Sequence, residues 1–374
     1  MDSCDVLIVG AGPAGSSCAW GLRSSGLDVL ILDKSRFPRE KVCGGWITPA
    51  VFGMLRVSPD EYGRTRVLQR ITGFKIGILG KCGVDVGYRQ VVSYGIRRCE
   101  FDEYLFRRCG ARCREETEVR SIERADNDWI INGEIRARLL VGAGGHFCPV
   151  ARHLSETEIG QPVVAQEIEF QMNTEQIASC SVHGEMPELY FCRDLQGYGW
   201  CFRKGDYLNV GLGRFDSRGL PDHVRRFSDI LKKTGKLPTD LPNRFRGHAY
   251  FLFGRSPRRL VGDASILIGD AAGLAYPQSG EGIRPAIESG LLAAEVIQKA
   301  AGNYSCNRLG TYSDELVHRL GRRKASLEAV AQHLPSRVRN ACARLLFADQ
   351  TFCRRVIADS WFLRNVVSTR DVIG

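Results

Sequence analysis

A chain of 374 residues with 44% hydrophobic and 25% charged side chains has the composition of a soluble globular protein, which excludes a disordered or fibrous one. That length exceeds what one hydrophobic core usually serves, so two packed domains, or one domain with a large insertion, are expected. The net charge of +10 leaves anionic membrane surfaces and acidic proteins open as partners, whereas no DNA- or RNA-binding motif accompanies it and nucleic acid is not expected.

The chain opens on the apolar run Val6-Leu7-Ile8-Val9 with no basic segment and no cleavage pattern before it, so no signal peptide is expected. Residues 4 to 34 read as strand, glycine turn, helix and strand: Cys4 to Val9 is apolar, Ala11 to Ser25 is small and helical, and Asp28 to Leu32 is apolar again. Gly10-Ala11-Gly12-Pro13-Ala14-Gly15 joins the first strand to the helix, the context in which GxGxxG binds a dinucleotide. The glycines allow a tight turn and close approach of a pyrophosphate, and the helix N-terminus attracts its charge. Asp33, followed by Lys34, ends the second strand where a carboxylate can hold a ribose hydroxyl.

Turns and short segments fill residues 35 to 90, and an amphipathic helix is predicted over Arg97 to Cys109. Three short strands follow, Val119 to Ile122, Trp129 to Ile131 and Leu139 to Val141, the first two separated by the polar turn Ala125 to Asp128. Residues 161 to 255 alternate apolar and polar over Val164 to Phe170, Leu189 to Cys192, Gly199 to Phe202 and Tyr207 to Gly213, the pattern of an antiparallel sheet with one solvated face. From Leu260 the pattern becomes strand, glycine-rich loop and long helix. Beyond Tyr304 nearly everything reads helical, with Leu316, Leu320, Leu327, Val330, Leu334, Val338 and Leu345 on roughly one face.

No apolar stretch reaches membrane-spanning length; Ile283 to Ile297 is interrupted by Arg284, Glu288 and Glu295. Fourteen cysteines lie at irregular spacing without histidine partners, so reduced thiols in a cytoplasm are expected and a metal site is not. Arg319, Arg322, Arg323, Lys324, Arg337, Arg339, Arg344, Arg354, Arg355, Arg364 and Arg370 give the last quarter a basic face. Such a face is solvated, or meets lipid headgroups or an acidic electron donor.

The second half carries Gly269-Asp270-Ala271-Ala272-Gly273, then Gly280-Glu281-Gly282-Ile283. This run resembles the second flavin-binding motif of the glutathione-reductase-type FAD fold, in which the Asp contacts ribitol or pyrophosphate and the next helix points its N-terminus at the flavin. Arg98-Cys99-Glu100-Phe101-Asp102 is similar to the Arg-x-x-Phe-Asp helix of those proteins, whose Arg approaches the cofactor. Leu140 to Gly145 resembles their strand ending in Gly-Ala-Asp-Gly, with Gly144 in place of the Asp.

Lys41-Val42-Cys43-Gly44-Gly45 resembles the Lys-x-Cys-Gly-Gly signature of the geranylgeranyl reductase family, and Tyr198-Gly199-Trp200-Cys201-Phe202-Arg203-Lys204 its Tyr-x-Trp-x-Phe-Pro-Lys segment, with Arg203 replacing the Pro. The likeness covers roughly residues 1 to 300. It implies an α/β fold, with a Rossmann-like FAD-binding domain at 1–160 and 256–300 and an inserted antiparallel substrate domain at 161–255; the helical region at 301–374 is read from its own pattern. It further implies an FAD-dependent oxidoreductase that reduces carbon–carbon double bonds of an isoprenoid. The cofactor set is then Gly10, Gly12, Ala14, Gly15, Asp33, Lys34, Arg98, Gly269, Asp270, Gly280, Gly282 and Ile283. Gly44, Gly45, Tyr198, Trp200 and Phe202 face the substrate, and Cys43, a thiol in an open positive loop, is the candidate catalytic residue.

No second GxGxxG exists, so NADPH binds transiently on the flavin face or a ferredoxin-like protein supplies electrons. The protein is expected in the cytoplasm, peripheral to a membrane where it meets a lipid-like substrate. A flavin monooxygenase or halogenase shares the FAD motifs and is the alternative; the intact Gly10, Gly12, Gly15, Asp33 and Asp270 argue against a prenyl-binding escort protein of related fold.

Overall fold

The structure, a computed structural model, describes residues 1–155, 160–216, 218–241, 244–320 and 336–364. Its first strand, Asp2–Val9, lies between two parallel neighbours, with Val6 opposite Val29 of one and Leu139 of the other. A strand flanked on both sides and covered on both faces must be apolar throughout, which is why residues 6 to 9 read as one hydrophobic run. The sheet order is Val261–Gly262, Ser265–Leu267, Ile135–Gly142, Asp2–Val9, Val29–Leu32 and Arg112–Arg114. A hairpin, Ile122–Ala125 with Asp128–Ile131, joins the start of Ile135–Gly142. The sequence places its first strand three residues too early. Asp126 takes a left-handed conformation, φ 54°, so a two-residue turn suffices and Ala125 and Asp128 pair with each other.

Helix Pro13–Leu22 starts directly after the glycine turn with proline at its first turn, where a missing N–H costs nothing. It packs against the long helix Ile283–Ala300 almost backbone to backbone: a Cβ on Gly290 would stand 2.3 Å from the Ala14 carbonyl oxygen. This contact draws the two ends of the chain's motif set together, because Gly282 caps the long helix and Gly12 caps the short one.

The second sheet runs Arg246–Tyr250, Val163–Gln171, Tyr207–Arg214, Gly197–Lys204, Glu188–Phe191, Gly73–Ile78 and Val84–Gly87. Strands from residues 73 to 87 thus extend it beyond the 161–255 segment. The expected solvated face is absent. Helix Leu220–Lys233 covers one face with Val224, Phe227 and Leu231, and the C-terminal segment covers the other with Phe347, Ile357 and Phe362. Period-2 alternation separates the two faces of a strand but does not say what covers the more polar one.

In the C-terminal region Leu316 and Leu320 are buried as expected, while Leu327, Val330 and Leu334 lie outside the described residues. Leu345 is 75% exposed, a departure from the predicted face, because Ala343 and Phe347, one turn apart, point inward instead. The basic face is partly satisfied internally: Arg319 pairs with Glu295, Arg354 lies over Tyr88, and Arg364 lies over Tyr276. Among the described residues no helix is long and apolar enough to cross a membrane. All fourteen cysteines are free thiols.

Candidate active site

One cavity of about 460 Å³ runs from the ends of the first two strands to the C-terminal-covered face of the second sheet. Gly10, Gly12, Ala14, Asp33, Lys34, Arg98, Asp270, Gly280, Gly282 and Ile283 line it at one side, Cys43, Gly44, Gly45, Tyr198, Trp200 and Phe202 at the other. Two residues of the expected set do not line it. A Cβ on Gly15 would stand 1.9 Å from the Gly10 carbonyl oxygen and one on Gly269 2.8 Å from Ala14 Cβ, so both are glycine for packing.

Asp33 accepts the Ala11 and Ser35 N–H groups at 2.8 and 2.9 Å, so the carboxylate at the second strand's end also locks the glycine turn. Arg98 Nε and Nη2 each donate to Asp102 at 2.8 Å, and Arg39 approaches the same carboxylate at 3.3 Å. Burial opposes the Arg98 charge, but Asp102 and the adjacent Cys43 outweigh it and raise its pKa.

Sequence reasoning missed a polar chain at the cavity's centre. Lys41 Nζ lies 3.1 Å from His248 Nδ1, and His248 Nε2 lies 3.4 Å from Asp270 Oδ2. Burial lowers the pKa of His248, so the ring is neutral near neutral pH, donating from Nε2 to Asp270 and accepting from Lys41 at Nδ1. Burial alone would raise Asp270; the His248 bond, with Lys41 and Arg98 nearby, more than offsets it and brings it to about 2. Arg258, 6% exposed, reaches the Asp270, Ala271 and His146 carbonyls and fixes the Gly269–Gly273 loop from behind. Nothing in the local sequence separates it from a surface arginine.

At the far end the Cys43 loop rests on aromatic side chains. A Cβ on Gly44 would lie 3.4 Å from Phe202 and from Trp200 Nε1, so a methyl here presses on both rings. Trp200 lies over Gly211, whose hydrogen leaves room for the indole, and donates Nε1–H to Asn209 at 2.7 Å. Tyr198 donates its hydroxyl to the Ser279 carbonyl. Phe362, from the C-terminal segment, meets Trp46 and Tyr198 edge-on at 5.6 Å and closes this end. The Gly45 N–H points at Cys43 Sγ, 3.4 Å away.

Glu281 sits between Gly280 and Gly282 with neither carboxyl oxygen in a well-formed hydrogen bond among the described residues. Burial, with Glu288 nearby, pushes it up to about 8 against Arg284 and Arg364. The folded protein therefore keeps a proton that the unfolded chain releases from about pH 4.5 upward, and stability falls as pH rises through that window toward the folded value. Glu281→Gln is expected to flatten this fall. Melting temperatures of both proteins between about pH 5 and about pH 8 check it, and parallel curves would assign the slope to other groups.

The cavity fits a dinucleotide on three counts. A Cβ on Gly12 meets only Arg39 Nη2, at 3.5 Å, so the turn leaves an open cradle. The helix behind that cradle has no acidic residue in its first turn, and its N-terminal N–H groups favour an anion. Arg39, Lys41 and Arg98 line the same cavity and add positive charge.

A family model described as an FAD binding domain matches residues 3–323. Digeranylgeranylglycerophospholipid reductase 1 of Methanothermobacter thermautotrophicus is 28% identical over 333 residues, 82% of this chain and 81% of its own. Menaquinone reductase of Mycobacterium tuberculosis is 28% identical over 324 residues, 79% of this chain and 77% of its own. A geranylgeranyl bacteriochlorophyll reductase-like protein from Thermoplasma acidophilum superposes with a TM-score of 0.78 at 21% identity, over 94% of this chain and 92% of its own. The halogenase PltM does so at 0.68 and 17%, over 93% and 78%. At such identities the structural likeness is one of fold.

Proposed function

The chain belongs to the FAD binding domain family and is an FAD-dependent oxidoreductase, and from that premise we propose that it reduces carbon–carbon double bonds in the polyprenyl chain of a lipid. The observation that carries this reading is the far end of the cavity, where Trp200, Phe202, Tyr198 and Phe362 line the wall beside Cys43. Such a wall suits an unsaturated hydrocarbon and offers few partners to a polar substrate. The names of the two relatives agree, since a digeranylgeranylglycerophospholipid and a menaquinone are both polyprenyl lipids.

In this reading residues 1–160 and 256–300 bind the cofactor, 161–255 with the strands of 73–87 shape the substrate side, and the helical region 301–374 covers it through Phe347, Ile357 and Phe362. The Gly10–Gly15 turn and the helix start at Pro13 would hold the pyrophosphate; Ala14 contributes its small side chain. Asp33 and Lys34 would hold the adenosine end, with Arg98, Asp270, Gly280, Gly282 and Ile283 around the remainder. When bound and reduced, FAD supplies a hydride. The chain's own part is to exclude water with aromatic rings, to orient the chain of the substrate along Gly44 and Gly45, and to bring a proton from Cys43 Sγ to the carbon beside the one reduced. Electrons reach the site from NADPH or a ferredoxin-like protein, and the lipid is met at a membrane surface.

The test is anaerobic. Flavoprotein reduced with dithionite is mixed with a geranylgeranyl lipid, and the absorbance of oxidised flavin is expected to return without oxygen. Return only on admitting oxygen, with which reduced flavins react in general, would overturn the proposed reduction of the lipid. Cys43→Ser should keep bound FAD and its reduction by the donor while slowing the lipid-dependent return by about 100-fold, within the usual range for a proton donor. An unchanged rate would remove the thiol from the reaction.

A further inference from the structure

The face of the second sheet beneath the Cys43 loop carries a buried polar stripe in an otherwise apolar cluster. Glu167 and Glu169 lie two apart on one strand, Lys204 ends the next-but-one, and Asn209 sits on the strand between. Glu167, Lys204 and Asn209 are each at least 95% buried. Burying two carboxylates beside one lysine opposes folding unless the arrangement is closely hydrogen-bonded, and here the bonds converge on one peptide. Glu167 Oε1 accepts the Cys43 N–H at 2.5 Å, and Asn209 Nδ2 donates to the Cys43 carbonyl at 3.2 Å.

We propose that Glu167 and Asn209 form a clamp that positions Cys43 from the sheet, and that this clamp carries one exchangeable proton on Glu167. The proposal rests on the reading of Cys43 as part of the active site. Its geometry is a matter of donors and acceptors. The Asn209 amide has two N–H groups but faces three acceptors: the Cys43 carbonyl, Glu167 Oε2 at 3.3 Å and Glu169 Oε2 at 3.2 Å. The amide oxygen is already taken by Trp200 Nε1, which fixes its orientation. The stripe is therefore one proton short.

Of the two carboxylates, Glu169 has the cations: Lys204 Nζ at 2.6 Å and Arg97 Nε at 3.5 Å. Among the described residues Glu167 forms no ion pair, and Glu169 lies beside it, so the missing proton falls to Glu167. Burial accordingly pushes its carboxyl up to about 7, against the Cys43 N–H, Lys204 and Asn209, whereas Lys204, Asn209 and Arg97 overcome burial to hold Glu169 below its ordinary value. The consequence is a loop whose anchor changes charge near neutral pH without any change in the thiol's own neighbours on the cavity side.

Both readouts of the test use the purified flavoprotein without lipid, so failure here is separable from failure of the reductase assignment. Infrared difference spectra of wild type against Glu167→Gln should contain the carbonyl stretch of a protonated carboxylic acid, present in wild type only and fading as pH rises through about 7. Labelling by iodoacetamide, mapped to Cys43 by peptide mass, should be about tenfold faster in Glu167→Ala and Asn209→Ala, which is what about 1.4 kcal/mol gives. Glu167→Gln, which keeps the shape and an acceptor, should label at nearly the wild-type rate. Absence of the titrating band would overturn the proton; equal labelling in all four proteins would overturn the clamp. Should one alanine variant fail to fold, the other still reads the clamp, and the wild-type and Gln spectra still read the proton.

Discussion

Gly12→Val is expected to give a folded but colourless protein. Gly12 has φ −69° and ψ −176°, a conformation open to any residue, and a Cβ added there meets no described atom closer than Arg39 Nη2 at 3.5 Å. The neighbouring glycines differ. Gly10 has φ 109° and a Cβ there would stand 2.5 Å from the Ala143 carbonyl oxygen, while Gly15 is blocked by Gly10 itself. Valine at either of those positions should damage the fold. At Gly12 it fills only the cradle in front of the helix. Losing two bonds from N–H groups to a charged pyrophosphate, at about 1.5–3 kcal/mol each, corresponds to a loss in FAD affinity of more than about 100-fold. The visible absorbance per protein and the far-ultraviolet circular dichroism separate the cases. Because a ligand stabilises the state that binds it, the variant should melt with wild-type apoprotein and below holoprotein. A Gly12→Val protein that purifies fully yellow would contradict the placement of the cofactor.

Asp102→Ala is expected to destabilise the fold by about 3–5 kcal/mol, the usual consequence of stranding a buried partner charge. Asp102 is fully buried, takes both donors of one edge of Arg98 and also faces Arg39. Removing it leaves two guanidinium groups in the wall of the cavity without their shared carboxylate, Arg98 beside Cys43 and Arg39 over the Phe37 ring with Asp33 at 3.9 Å. Asp102→Asn should lose less, because its amide oxygen still accepts one bond. The midpoints of urea unfolding of the three apoproteins measure this. Equal midpoints would mean that water already reaches the pair and screens it.

The sequence by itself determined what depends on neighbours within one turn or one strand. Gly10 and Gly15, the apolar run to Val9, Asp33 and Gly269-Asp270 are read locally, because a backbone that must turn tightly or pass close to another leaves its requirement in the residue type. The parallel pairing of Val6–Val9 was legible for the same reason, since the part of a strand that is buried on both faces reads as a continuous apolar run. Tertiary structure alone decided the chemistry between these parts. Lys41 meets His248 across 207 residues and Cys43 meets Glu167 across 124, separations at which no spacing or periodicity carries information. Even within the sheet, the side chain that faces Cys43 depends on register: Asn209 pairs with Glu169 on one side and Phe202 on the other, and a one-residue slip would turn its amide to the opposite face. The C-terminal helices make the same point. Their periodicity marks a buried stripe, but it was packing against the second sheet that turned Phe347 and Phe362 inward, left Leu345 in solvent and closed the cavity at its apolar end.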